Sequence, residues 1–430
     1  MRQRAVMPFA VAGVLCLLLA TSGCARQAPS GNDTPVDVPV SSRWQVDHVG
    51  GMTGGRPVWW TKGVAWTEGG AADVPRSFYL FDARKQVTSI LCESPPETED
   101  SCITWSRGRF YWLRSAWRAT DHVYFRTELL SMAPGEATPT VMRIRAAMDG
   151  LCAAGDRLAW IEREGGSKRW STMTMGGSEA TPTLVSAAGT EYVDLALSDR
   201  MLVWASVKDP KVVRLLPLGP TGQLAVTPTV LLVGEPTADY QEGTLCIDGP
   251  RIAWTARGTQ HTWHVYTWRF GDVAPQRVSM HASRRPPESV FAGSDEDVNT
   301  GLTNPVVAGD RISWRSWDHP ASSMLTWQSG EPSPTVLGAY LNPDYVSLVA
   351  ASDEGVAWTI STRGGEREGD SLHSIMTWGG QPGRAQTVAT GRDPDDEIVN
   401  LSVRGDSIAF SGCYRTTGPY SDGGMFLADR

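Results

Sequence analysis

Read for its bulky, small and polar positions, the chain repeats one short phrase. A turn rich in Gly and Asp leads into a large aliphatic residue, a small residue and an aromatic one. The clear copies are GDRLAW at 155–160, GPRIAW at 249–254, GDRISW at 309–314, DEGVAW at 353–358 and GDSIAF at 405–410. Looser copies are KGVAW at 62–66, GRFYW at 108–112 and DRMLVW at 199–204. Alternation with a period of two predicts a strand, and apolar residues on both sides predict burial of both faces. Three more strands can be read around each phrase. For the sixth copy they are TNPVVAG at 303–309, SMLTWQS at 323–329 and PTVLGAY at 334–340. The third element recurs as HVYTW at 264–268 and SIMTW at 374–378. The fourth recurs as PTVMRI at 139–144, PTLVSA at 182–187 and PTVLLV at 228–233.

The closing aromatics are Trp66, Trp112, Trp160, Trp204, Trp254, Trp314, Trp358 and Phe410, spaced by 44 to 60 residues. Self-similarity of this length in β-rich sequence predicts a propeller, one period to a blade. The expected fold is therefore all-β: a single β-propeller of eight four-stranded blades, with seven as the alternative. Blades pack face to face, so a bulky face must meet a slim one. Ile312 and Trp314 lie on one side of their strand and Ser313 on the other. The Trp row reads as core rather than as a ligand cage, each side chain contributing roughly 2–3 kcal/mol by buried area. The eighth period ends at its third strand, MFLADR at 425–430. A spare strand, RWQVDHV at 43–49, carries Trp44, Val46 and His48 on one face. It is expected to supply the missing edge and close the ring, which removes an open sheet edge.

Composition suits a globular β-protein: 41% hydrophobic and 20% charged residues, with 44 Gly and 18 Trp among 430. The N-terminus stands apart. Arg2 and Arg4 precede an apolar run over 5–20 and then Thr21-Ser22-Gly23-Cys24, the layout of an export signal too short to be a membrane span. Small residues directly before a cysteine resemble a bacterial lipobox, although Thr21 stands where that pattern usually has Leu. The resemblance implies that Cys24 becomes a lipidated first residue and that the protein is a membrane-anchored, extracytoplasmic lipoprotein of the bacterial cell envelope. The alternative is an ordinary secretory signal cleaved after Ala25. Residues 25–42 are polar and Pro-rich and read as a tether. The domain plan is thus a signal at 1–23, lipidated Cys24 with its tether to 42, and a propeller over 43–430. Loss of Arg2 and Arg4 moves the net charge from −8 to −10, which argues against nucleic acid as a partner.

Beyond Cys16 and Cys24, five cysteines remain: Cys92, Cys102, Cys152, Cys246 and Cys413. An odd number leaves at least one without a partner in the chain, and neither CxxC nor a zinc-type Cys/His spacing occurs. Cys92 and Cys102 flank a nine-residue link in an oxidising setting and form a candidate disulfide. Against it, one ends an outer strand and the other begins an inner one, about 14 Å away unless the link folds back.

Blades of the form GDRIAW followed by a short outer strand resemble the TolB-like and WD40-like propellers of bacterial envelope proteins, over roughly 43–430. The SPDG turn of TolB repeats is absent, so TolB's own partners are not implied. SFYLFDARK at 77–85 approaches the quinoprotein-type repeat of eight-bladed lipoproteins that help assemble outer-membrane barrels.

Turns between first and second strands look tight, whereas those between second and third, among them 113–125 and 315–323, look long and varied, and function sits on such loops. The candidate binding face comprises Trp117, Asp121, His122, Trp317, Asp318 and His319. Acidic links between blades, among them Glu97, Glu99, Asp100, Asp239, Asp295 and Asp393, are expected near the channel mouth. SDEDVNTG at 294–301 suggests calcium on Asp295, Asp297 and Asn299, but its Gly falls one place late. HTWH at 261–264 places its histidines on opposite strand faces, and no nucleophile elbow is present. No cofactor or catalytic residue is indicated. The expected function is a monomeric, lipid-anchored module that binds a protein or glycan. A propeller hydrolase, lyase or quinoprotein working at the channel mouth is the alternative.

Overall fold

The computed structural model describes residues 47–51, 57–67, 77–117, 124–163, 170–176, 183–186, 192–206, 211–218, 229–234, 239–241, 244–257, 262–279, 283–284, 305–318, 321–341, 345–363, 371–379, 385–390, 397–415 and 421–429. Among these residues every regular element is a strand. The strands form seven four-stranded sheets and one of six, all antiparallel, arranged as the blades of a single propeller. In chain order the blades span 58–93, 98–145, 147–186, 192–232, 239–284, 306–341, 345–390 and 397–429, and are numbered 1 to 8 below. The six-stranded sheet is blade 5. There the first position is split between Asp239–Tyr240 and Cys246–Asp248, and the fourth between Gln276–Arg277 and Ser283–Arg284, so it too has four strand positions.

Within each blade the repeated phrase is the second strand. In blade 6 it runs Arg311–Asp318 between Val306–Ala308 and Ala321–Gln328, with Thr335–Leu341 outermost. The tight turn entering it needs a left-handed residue, and Gly155, Gly249, Gly309 and Gly405 occupy that place with φ of 50 to 58°. First strands touch their neighbours around the inner circumference, including blade 8 against blade 1. Fourth strands form the perimeter, where Val87, Ile90, Val141, Ile144, Val230 and Val336 are exposed.

The core lies between blades. Every closing aromatic is at most 2% exposed. Trp112 clusters with Ala65 of blade 1, Trp204 with Ala159 of blade 3, Trp314 with Ala253 of blade 5, Phe410 with Ala357 of blade 7 and Trp66 with Ala409 of blade 8. The small residue beside each aromatic thus receives the next blade's aromatic. Blades 2 and 4 depart from this: Tyr111 stands at the small position of blade 2 and packs in the cluster of Trp160, and Val203 stands at that of blade 4 and packs in the cluster of Trp254.

The ring closes through the N-terminal segment. Asp47–Gly51 pairs antiparallel with Ser421–Asp429, Asp47 opposite Leu427 and Gly51 opposite Gly424, with an irregularity between His48 and Gly50. The expected closing strand is therefore observed, but it extends two residues beyond the predicted Val49, and Trp44 and Val46 lie outside the described residues. Tight turns of adjacent blades are tied together. Ser106 Oγ donates to Gly155 O at 2.5 Å, Gly309 N to Asp248 Oδ2 at 2.7 Å, and Ser352 Oγ to Gly405 O at 3.3 Å. Arg404 reaches Trp60 O across the closure between blades 8 and 1. On that face several polar groups of the turns thus hold neighbouring blades together.

Candidate binding face

The opposite face carries the connections between second and third strands and the links between blades. Several are shorter than the sequence suggests. Blade 2's second strand continues to Trp117 and its third begins at Tyr124. In blade 6 the second strand runs to Asp318 and the third starts at Ala321, leaving two residues between them. The long loop expected at 315–323 is thus largely hairpin, because strand pairing continues from Trp314–Leu325 out to Asp318–Ala321.

Blade 2 defines this face best. Its first strand, Thr98–Ser106, carries the acidic link into the ring. Asp100 is buried there and held by Arg114 of the second strand, Nε to Oδ1 at 2.7 Å and Nη2 to Oδ2 at 2.9 Å. Ser94 donates to the same carboxylate and accepts from Arg114 Nη2 at 3.1 Å. Removed from water, the pair is held by a two-pronged, charge-assisted geometry. Burial works against the Arg114 charge, but the hydrogen bonds and charge of Asp100 outweigh it and hold the guanidinium above its ordinary pKa.

Outside this lock the same blade presents aromatic surface. Trp117, half-buried, pairs across the hairpin with Tyr124, and the pairing steps over Phe125 as an irregularity. Tyr124 is 41% and Phe125 51% exposed. Tyr124 Oη donates to Glu99 Oε2 at 2.5 Å, and Trp117 N donates to Glu97 O at 3.1 Å. Glu97 has φ 60° and is exposed at the tip of the link. Trp117, Tyr124 and Phe125 thus come together at this end of the hairpin, with the Glu99 carboxylate on Tyr124 and the Glu97 backbone on Trp117, an arrangement suited to stacking on a flat group.

First strands bulge at corresponding places in blades 2, 3, 4, 7 and 8. Bulges re-aim side chains at rims, and here they carry polar residues toward the next blade. Cys102, at φ 51°, takes the bulge position that Gly150 takes in blade 3 at φ 62°. Its Sγ lies 3.5 Å from Asp149 Oδ1 of blade 3. In blade 4, Asp194 accepts from Tyr240 Oη of blade 5. Burial first, then the Asp194 charge, raises the Tyr240 hydroxyl well above its ordinary value. These contacts stitch neighbouring blades together.

The bridge weighed between Cys92 and Cys102 is not formed. Both are free thiols, as are Cys152 and Cys246. Cys92 faces Arg114 Nη2 at 4.0 Å, on the other side of the blade from the Asp149 contact of Cys102. Burial, reinforced by Asp100, pushes Cys92 up to about 11 despite Arg114, and burial pushes Cys102, Cys152 and Cys246 up to about 12. Thiols this weakly acidic are poor nucleophiles at neutral pH.

Of the other sequence-predicted residues, Trp317 and Asp318 close blade 6's second strand. Cys24, Asp121, His122, His319, Asp295, Asp297 and Asn299 lie outside the described residues. Among the described residues no three His, Cys, Asp or Glu side chains are grouped to hold a metal ion. His264 stands on a strand, as expected, with Nδ1 3.3 Å from Ser279 Oγ. His373 Nδ1 is likewise 3.3 Å from Ser361 Oγ, and that serine is fully buried. Sequence reasoning named Trp117 but missed Tyr124 and Phe125. Their signal was two adjacent aromatics opening a strand, where alternation can bury only one.

No protein-family model matches the chain, and no curated protein is similar to it in sequence. Solved structures do resemble it in fold. A prolyl endopeptidase, from a study of two such enzymes and their inter-domain dynamics, is 13% identical with a TM-score of 0.50, over 88% of this chain and 55% of that one. A puromycin-hydrolyzing peptidase of Mycobacterium tuberculosis is 12% identical with a TM-score of 0.50, over 90% of this chain and 61% of that one. The chain therefore spans about half to three-fifths of those peptidases. TolB from Acinetobacter baumannii matches at a TM-score of 0.33 and 12% identity, over 76% of this chain and 79% of that one, too remote to bear on function. At these identities the likeness is one of fold, and the fold is the β-propeller.

Proposed function

We propose that the protein is a lipid-anchored module of the bacterial cell envelope that binds a protein or glycan through its long-loop face. The observation that carries binding is the exposed Tyr124 and Phe125 beside Trp117, edged by Glu97 and Glu99. Among the described residues the repeat's closing aromatics are buried between blades, and of the exposed aromatics Tyr124, Phe125 and Phe270 the first two adjoin Trp117 on a structured rim, which marks a contact surface rather than spare core. Anchoring rests on Arg2, Arg4, the apolar run at 5–20 and Thr21-Ser22-Gly23-Cys24. Cys24→Ala is expected to release the protein from membranes, since acyl chains supply the stable attachment; a variant that still partitions into detergent overturns the anchor.

The test of binding is site-specific photo-cross-linking in cells, with the reactive group at Phe125 or at Val336 on the perimeter of blade 6. The expected result is one captured partner at 125 and none at 336. The purified partner should then bind the triple variant W117A/Y124A/F125A at least ~30-fold more weakly, the loss of a hot spot of about 2 kcal/mol. Equal capture at both positions, or equal affinity of the variant, refutes the reading. Among the described residues serine and histidine meet in two places, His264 with Ser279 and His373 with Ser361, each at 3.3 Å and each with its serine buried.

A further inference from the structure

We infer that the corner of blade 1 formed by Lys62, Arg84, Lys85, Val87 and Ile90 is a second membrane contact that rests on an anionic lipid surface. It directs the long-loop face away from the bilayer. The inference rests on the lipid-anchored reading above and adds an orientation to it.

The closing strand sets the geometry. Asp47–Gly51 lies opposite Ser421–Asp429, so Asp47 is at the end near Leu427, where Ser407 pairs with Asp429 beside the Gly405 turn. Gly51, opposite Gly424, is toward the long-loop end. The chain before Asp47 therefore joins the propeller on the tight-turn face. The closing strand also lies beside the outermost strand of blade 1, Val87–Glu93, which runs in the same sense from the same face. The tether read from the sequence, 25–42, has 18 residues, and a Gly/Ser-like chain of that length would span roughly 25 Å on average. A lipid on Cys24 thus keeps this corner within a short reach of the bilayer.

The corner itself is built for such a surface. Two turns meet there, joined by Ala83 N donating to Lys62 O at 2.9 Å. Asp82, the carboxylate of this turn, accepts from Arg84 N at 3.0 Å and Lys85 N at 3.2 Å rather than pairing with the side chains. Gln86 Nε2 donates to Ala83 O at 2.8 Å and completes the lock. The turn thus holds Arg84 and Lys85 outward, with exposed Lys62 alongside. Among the described residues none of these three cations is in an ion pair, although Lys62 Nζ lies 5.9 Å from the centre of the Trp60 ring. Val87 follows directly at 54% exposure, and Ile90 stands at 51% on the other face of the same edge strand. Cations backed by apolar side chains suit the boundary between anionic headgroups and acyl chains, and the charge is complementary although the chain as a whole is acidic.

The experiment uses the full anchored chain reconstituted into vesicles of neutral lipid or of one-third anionic lipid. An environment-sensitive fluorophore is placed at Val87→Cys or, on the opposite face, at Phe125→Cys. Expected is a shift to an apolar environment at 87 in anionic vesicles only, reversed at about 1 M salt, where screening acts within ~3 Å, with no change at 125. The triple variant K62E/R84E/K85E should float with the vesicles as wild type does yet lose the shift, its equilibrium contact falling by roughly a hundred-fold. A chain that floats while the label at 87 stays in water overturns the contact alone. A chain that does not float removes the anchor, and the contact with it. A shift at 125 instead of 87 reverses the orientation and also refutes the inference.

Discussion

Trp112 and Trp117 sit five positions apart on one strand of blade 2 and do opposite things. Trp112 is fully buried against Ala65 and Phe78 of blade 1, with the Phe78 ring edge-on at 5.4 Å. Trp117 stands where the strand leaves the sheet, beside exposed Tyr124 and Phe125. The same residue type is core where a neighbouring blade supplies a slim partner and surface where the blades diverge at the rim. Identity of a side chain therefore says less about its role than its distance along the strand from the ring's middle. In this propeller the middle is uniform and the rim is individual.

Breaking closure should separate the two regions most sharply. Deleting Asp47–Gly51 strips Ser421–Asp429 of its outer partner, and an open edge in a ring loosens every blade contact. The melting temperature is expected to fall further than for any single substitution. Deleting 25–39 should leave it unchanged, and equal melts for the two truncations would mean that closure is made elsewhere. Next in size is Trp112→Ala, which vacates a packed interblade site and should cost about 3–5 kcal/mol in denaturant unfolding. A loss under about 1 kcal/mol would deny the Trp row its structural role.

Arg114→Met leaves the Asp100 carboxylate buried without its cation, expected to cost about 3 kcal/mol. The double variant Asp100→Leu/Arg114→Met should recover most of that, and a double variant as weak as the single would show that the pair contributes more than mutual compensation. A smaller effect is expected at Glu162, which accepts from Trp160 Nε1 at 3.0 Å, from Arg145 Nε at 2.9 Å and from Arg143. Burial pushes its carboxyl up, but the hydrogen bonds from Arg143, Trp160 and Arg145 prevail and the net shift is downward. Its contribution is then full above the ordinary Glu value of about 4.3 and is lost as pH falls through the lower folded value. Wild type should exceed Glu162→Gln by about 2 kcal/mol at pH 7, and the gap should close in acid below that value. A gap that widens there would reverse the sign. Smallest of all, Phe125→Ala should stay within ~0.5 kcal/mol of wild type in stability while weakening partner binding, the inverse of Trp112→Ala.

The blade middles were legible because alternation is local: Ile312, Ser313 and Trp314 announce a strand with one bulky and one slim face without reference to anything distant. The tight turns were legible for the same reason, since a left-handed position between two strands asks for Gly. Tyr111 shows the limit. At a position where six other blades have Ala or Ser and one has Val, its accommodation depends on Met148, Leu151 and Trp160 of the next blade. The rim was read less well. The segment at 113–125 looked like one long loop, yet strand pairing carries through Trp117 and resumes at Tyr124, because cross-strand hydrogen bonding continues as long as the two chains stay in register.

Local patterning alone gave the repeat, the blade's four strands, the buried Trp row and a spare strand ahead of the first period, all consequences of period-two alternation. What only tertiary structure decided was which charges are buried and which are free. Glu99 and Asp100 are adjacent acids in one link, but the latter turns inward to meet Arg114 fourteen residues away while the former stays at the surface with Tyr124. The fate of Cys92 and Cys102 was decided in the same way, since successive residues of a first strand point to different neighbours and the bulge sends Cys102 toward Asp149. Burial of a charge or a thiol depends on groups brought together across blades, and no local pattern encodes that encounter.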